Sequence, residues 1–131
     1  MVKINASIAK ELYKVEIRTP SGNVLIADEP LNSGGGNKGF SPQELLASAL
    51  ASCTAATLRM YADRKKWDLQ EVKLEIDLIQ SDDRTKTDIN RKIELIGELS
   101  DEQKARLLSI ANACPVHKLL SNQIEISSSV V

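Results

Sequence analysis

From Leu45 to Leu58 the chain runs without a single charge, inside a segment that carries several helix-start signals. Ser41 is placed to act as N-cap, Pro42 to take the first helical position and Glu44 to fold back as the acid of a capping box. The pattern predicts a helix from Ser41 to about Lys66, ending in Arg64-Lys65-Lys66, whose charges suit a helix C-terminus. A helix that is apolar on every face must be buried on every face. With 1 Trp, 2 Tyr and 1 Phe in 131 residues, the core has to be built from aliphatic side chains. One small domain struggles to wrap such a helix. The expectation is therefore a second copy of the chain covering one side.

The length fits one domain, residues 1–131. Its first 27 residues read as antiparallel strands, with Ala6, Ile8, Leu12, Tyr13, Val15 and Ile17 set among Lys10, Lys14, Glu16 and Arg18. Pro20-Ser21-Gly22-Asn23 makes a turn, and Val24 to Ala27 returns as a second arm. Residues 28–41 lose all periodicity and hold four of the six glycines, so they read as a loop, mobile or wrapped over something. Beyond the long helix, Val72–Ile79 alternates cleanly, and Ile89–Ile96 returns with Ile89, Ile93 and Leu95 as inward positions. A second helix starts at Ser100, with Gln103 completing a capping box, and stops at Cys114 because Pro115 cannot continue it. A short turn of helix to Leu120 and a last strand at Ile124–Ile126 complete an α+β order.

A formal net charge of −1, with signs interspersed, argues against a nucleic-acid partner, which calls for a basic stripe. The N-terminal residues lack an apolar region with a cleavage site, and no uncharged run reaches membrane-spanning length. A cytoplasmic protein without a membrane partner is the expectation. In that compartment cysteines serve catalysis or metal binding more often than structural cross-linking.

The chain has two cysteines, Cys53 inside the uncharged helix and Cys114 at the helix break. One reading makes them a redox pair, since attack on an O–O bond needs a thiolate, leaves a sulfenic acid and wants a second thiol to condense with it. Another makes them buried packing residues, which their wide separation in sequence favours on spacing alone. A third uses Cys114-x-x-His117 as metal ligands, but the chain's single histidine and two cysteines fall short of a four-ligand set. His117 is otherwise expected to serve backbone carbonyls at a helix end. Helical periodicity sets Gln43 nearer than Glu44 to the Cys53 face, which leaves Glu44 as a cap. An arginine to lower a thiol pKa has four sources, Arg18, Arg59, Arg64 and Arg91, among which the sequence does not choose.

Several segments together resemble the OsmC/Ohr family, the osmotically inducible and organic hydroperoxide resistance proteins. They are Ala27-Asp28-Glu29-Pro30, the Gly34-Gly35 loop, Ser41 to Ala47, Ser52-Cys53-Thr54, Leu58 to Ala62, and Cys114-Pro115-Val116-His117-Lys118. The resemblance implies an intertwined homodimer in which antiparallel sheets of both subunits wrap two central helices. It implies a thiol peroxidase for organic hydroperoxides, with Cys53 as the peroxidatic thiol and Cys114 as the resolving one. No haem, flavin or metal is implied, and the reductant is a dithiol of the lipoyl type. Well-characterised peroxidases of the family follow the helix-starting proline with a glutamate that orients an arginine of the first hairpin. Here Gln43 holds that place, with Glu44 next to it, and the hairpin offers Arg18. The competing expectation is a non-enzymatic member that binds or senses a small hydrophobic or reactive molecule.

Overall fold

Short runs of alternating apolar and charged residues at the N-terminus pair as a three-stranded antiparallel sheet in the order β1-β2-β3. Its strands are β1 (Asn5–Ser7), β2 (Val15–Arg18) and β3 (Val24–Ala27), with Ile17 opposite Ala6 on one side and Leu25 on the other. The computed structural model describes every residue from Met1 to Val131. The chain divides into two compact units, Met1–Leu46 and Ala47–Val131. Ile8, Leu12 and Tyr13 fall outside the strands.

The glycine-rich segment of this first unit is folded around a carboxylate of its own. Asp28, 2% exposed, accepts four backbone N–H bonds through its two oxygens. Tyr13 and Glu29 donate to Oδ1 at 3.1 and 2.8 Å, and Gly36 and Lys38 to Oδ2 at 3.2 and 3.1 Å. The bond from the Lys38 amide leads in holding the Asp28 carboxyl below its ordinary pKa, against burial, with those from Glu29, Tyr13 and Gly36 assisting. A Cβ at Gly35 would overlap the Glu29 carbonyl, so the close approach requires glycine there. A short 3-10 turn at Leu31–Ser33 lies within the loop.

Helix α1 (Pro42–Lys65) opens with the anticipated capping box. The Ser41 N–H donates to Glu44 Oε1 at 2.8 Å, and the Glu44 N–H donates to Ser41 Oγ at 3.2 Å. Lys66, at φ 58°, turns the chain out of the helix. In the second unit, β4 (Glu71–Gln80) and β5 (Thr87–Ile96) form an antiparallel hairpin that pairs Leu74 with Ile93 and Ile76 with Arg91. Helix α2 (Asp101–Asn112) starts at Ser100 with a reciprocal Gln103 box, and α3 (Pro115–Ser121) follows with Cys114 as its N-cap. The core joins Leu58, Tyr61 and Ala62 of α1 to Leu69 and to Leu107 and Ala111 of α2, with Val72, Ile93 and Leu95 of the hairpin packed against it. Each fully buried leucine side chain contributes about 1.5–3 kcal/mol.

One expectation fails within a single chain, and another is left open by it. The uncharged helix is not buried all round: α1 buries Leu50, Thr54, Leu58, Tyr61 and Ala62, while Ala49, Ala56 and Met60 are exposed. Only 28% of its apolar window is covered, although by length and composition this helix would suffice to cross a membrane. Its packing into the core beside α2 and the hairpin is instead that of a core helix with one face left open. The anticipated strand at Ile124–Ile126 does not form, because no neighbouring strand of this chain offers it a ladder; both isoleucines are exposed.

Candidate dithiol site

Cys114 sits where α2 ends and α3 begins, and Pro115 dictates this break by lacking the N–H that would continue the first helix. The side chain is fully buried. Its Sγ accepts the His117 N–H at 3.4 Å and lies 3.9 Å from Thr54 Oγ1. Thr54 is the residue after Cys53, so α1 brings the two cysteines into one neighbourhood. Both are free thiols, Cys114 buried and Cys53 half-buried. Burial pushes the Cys114 thiol up in pKa. The His117 N–H, the neighbouring Cys53 thiol and the Arg91 charge act against it, and the net direction is downward.

Arg91 is the arginine of this neighbourhood. From β5 its Nη1 donates to Thr54 Oγ1 at 2.9 Å, and its Nη2 donates to Asn112 Oδ1 at 3.0 Å. Nη2 also lies 3.2 Å from His117 Nδ1. A guanidinium only donates, so Nδ1 accepts and the ring proton stands on Nε2. His117 therefore meets a cation with its ring, rather than backbone carbonyls as its place near a helix end suggested. The Thr54 hydroxyl gives its one proton to the Leu50 carbonyl at 2.7 Å and accepts from Arg91. None of the chain's six ion pairs includes Arg91, so this half-buried cation has no carboxylate partner.

A readable signal for Arg91 exists in the sequence. The period of two along β5 puts residue 91 on the same face as Ile89, Ile93 and Leu95, so one arginine stands in an otherwise apolar row. Thr54 and Asn112 carry no such signal, because only the tertiary fold brings them to Arg91.

The other expected site residues have local roles. Glu44 is the cap of α1, and its bonds to Ser41 hold its carboxyl below the ordinary pKa. Gln43 is exposed in the first turn and makes no side-chain hydrogen bond. Arg18 pairs with Glu16 on the exposed face of β2. Arg59 bonds Asp63 and the Leu69 carbonyl, and Arg64 lies over the Tyr61 ring. No three His, Cys, Asp or Glu side chains gather in a metal-binding arrangement. Beside Arg91 a cavity of about 380 Å³ opens between β5 and the last two helices. Apolar walls from Leu50, Ile89, Leu108 and Leu120 meet the polar groups of Arg91 and His117 there. That volume lies within the range of small-molecule sites.

The solved structures similar to this chain share its fold. A putative osmotic stress induced and detoxification response protein from Psychrobacter arcticus superposes with a TM-score of 0.79 at 26% identity, covering 91% of this chain and 88% of its own. An organic hydroperoxide resistance protein OsmC from Legionella pneumophila gives 0.67 at 21% identity, with 92% and 88% covered. The organic hydroperoxide resistance protein OhrB of Bacillus subtilis gives 0.59 at 20% identity, with 91% and 89% covered. No curated protein sequence matches the chain. The model of the OsmC-like protein family matches residues 35–129, most of the chain and both cysteines. With the α+β order, the cysteine inside the long helix and the Cys-Pro at the second helix break, that match places this chain in the OsmC/Ohr family.

Proposed function

We propose that this protein is a thiol-dependent reductase of organic hydroperoxides that cycles between a Cys53/Cys114 dithiol and disulfide. The observation that carries this reading is that the free thiols of Cys53 and Cys114 are neighbours, and that Thr54 stands between Cys114 and the Arg91 cation. In the proposed cycle the half-buried Cys53 meets the peroxide, because Cys114 is sealed from solvent. The Cys53 sulfur takes the distal oxygen and becomes a sulfenic acid, and the alcohol departs. Cys114 condenses with that sulfenic acid, and an external dithiol of the lipoyl type restores both thiols. Two of the structural relatives carry organic hydroperoxide resistance in their names, which supports this substrate class.

The working form in this reading is a homodimer of one OsmC-like domain per chain in the cytoplasm. Its support is the open face of α1, where Ala49, Cys53, Ala56 and Met60 recur at helical spacing, and the unpaired Ile124–Ile126 segment. A residue stripe of this kind is stable in water only when covered. In the same reading Gln43, Glu44 and Arg18 complete the catalytic set that the family resemblance implies.

Consumption of tert-butyl hydroperoxide by the pure protein in the presence of dithiothreitol is the direct test. The reductase reading predicts turnover that Cys53→Ser abolishes. Equal peroxide loss with the unaltered chain and with Cys53→Ser contradicts it. The cavity beside Arg91 favours the second reading, a member that binds a small hydrophobic or reactive molecule. Thiols that stay reduced under peroxide, together with a small molecule that copurifies with the chain, would decide for that alternative.

A further inference from the structure

Between β5 and α2 the second unit holds two cavities that adjoin. The period of two along β5 sets Ile89, Arg91, Ile93 and Leu95 in one row. On α2, Lys104, Leu108 and Asn112 recur every fourth residue and share one side of the helix. The cavity at Arg91 is walled by Ile89, Leu108 and Asn112, and the second by Ile93, Leu95, Leu108 and Lys104. Each has a volume of about 380 Å³, and Leu108 belongs to both. They form successive parts of one groove, with Leu108, 55% exposed, where they meet.

The two parts differ in character. The first holds the half-buried Arg91, which has no carboxylate partner in the chain. Three of its N–H groups go to Thr54, Asn112 and His117, while the Nε–H and the second N–H of Nη1 have no acceptor. Nε is not sealed in the interior, since no buried side-chain nitrogen or oxygen lacks a partner. His117 lines the same part and, with Nδ1 given to Arg91, keeps its Nε2–H as a further donor. The second part is apolar at Ile93 and Leu95, and the two charges on it, Glu94 and Lys104, are of opposite sign. Neither cysteine lines the groove, which therefore runs beside the thiols.

We propose that this groove binds an aliphatic monocarboxylate, its carboxylate at Arg91 and its alkyl chain laid across Leu108 toward Leu95. The proposal deepens the ligand-binding reading above, on which it rests, and needs no turnover. A carboxylate suits the first part because charged acceptors make the stronger hydrogen bonds to a guanidinium, and the chain supplies none. An alkyl chain suits the second because it takes Leu108, Ile93 and Leu95 out of water. Length follows from the strand. Arg91 to Leu95 spans about 13 Å at roughly 3.3 Å per residue. Each strand residue advances over three backbone bonds, so about ten to twelve bonds of an extended alkyl chain cover that distance. The fit is to a chain near ten carbons.

Isothermal titration calorimetry of the reduced, unaltered chain with decanoate, butyrate and 1-decanol at neutral pH tests the assignment. Decanoate is expected to saturate the protein and to bind at least about tenfold more tightly than either of the others. Arg91→Met is expected to weaken decanoate binding at least about tenfold and to leave 1-decanol unaffected. Leu108→Asp keeps Arg91 but sets a charge against the alkyl chain at an exposed position, and is expected to weaken decanoate as much. Absence of saturable decanoate binding overturns the proposal. So does 1-decanol binding as tight as that of decanoate, which would leave the groove to neutral apolar ligands. Unchanged decanoate affinity in Leu108→Asp overturns it whether or not Arg91→Met folds. Failure to bind decanoate, with self-association weakened by Leu108→Asp, would assign the groove to a second copy of the chain. tert-Butyl hydroperoxide carries no carboxylate, so its turnover in the same samples stands or falls separately from this assignment.

Discussion

Asp28 and Thr54 are the two buried polar side chains of this protein, and the fold satisfies each of them completely. For Thr54 the partners are a helix carbonyl and Arg91, which ties the polar side of α1 to β5 beside the thiols. For Asp28 the partners are four backbone amides that gather the glycine loop, and those amides favour the charged carboxylate. Because its folded pKa is lowered, Asp28 binds its proton more readily in the unfolded chain. Its contribution to stability is therefore fully present above the unfolded carboxylate value of about 3.9 and is lost as pH falls through the folded value. Asp28→Asn is expected to lower Tm at pH 7 by several degrees and to flatten the acid limb of Tm against pH. An unchanged limb would mean that another carboxylate governs it. Little of this detail was legible from the residues alone. Asp28 read as the start of a loop, since no periodicity announces a carboxylate that collects amides from residues up to fifteen positions away.

At the scale of elements the sequence was far more informative, because caps and periods are local physics. Both capping boxes, the Pro115 break and the β4–β5 alternation form as their residues dictate. What a single chain does not complete, one element that fails and one anticipated open face, lacks a neighbour outside the segment itself. The stretch around Ile124 has a strand's pattern but no strand to pair with, and the uncharged length of α1 has more apolar surface than one chain covers. If a second copy covers the open face, a charge placed in its middle must be costly. Ala56→Glu puts a carboxylate between Cys53 and Met60 on that face. Self-association measured by sedimentation equilibrium is expected to weaken at least about tenfold, or about 1.4 kcal/mol. Association as tight as in the unaltered chain would move the subunit contact away from α1.

For the whole molecule, α+β class and family were both accessible from the order of elements and from the Cys53 and Cys-Pro contexts, and 26% identity to a structure with a TM-score of 0.79 fits that order. Pairing of the thiols was not accessible from spacing, because two cysteines on different helices have no sequence relation until α1 packs beside the α2–α3 break. That packing sets Thr54 against Cys114 and brings the Arg91 cation to the same place, which is the arrangement the proposed dithiol site rests on. The central claim is that oxidation travels from Cys53 to Cys114 within one chain. Treating the reduced protein with one equivalent of tert-butyl hydroperoxide, trapping remaining thiols and mapping peptides by mass spectrometry tests it most directly. A Cys53–Cys114 disulfide, absent from the untreated protein and reversed by dithiothreitol, is the predicted result. Two trapped thiols after peroxide, or a Cys53 oxidised beyond sulfenic acid beside an untouched Cys114, would contradict it.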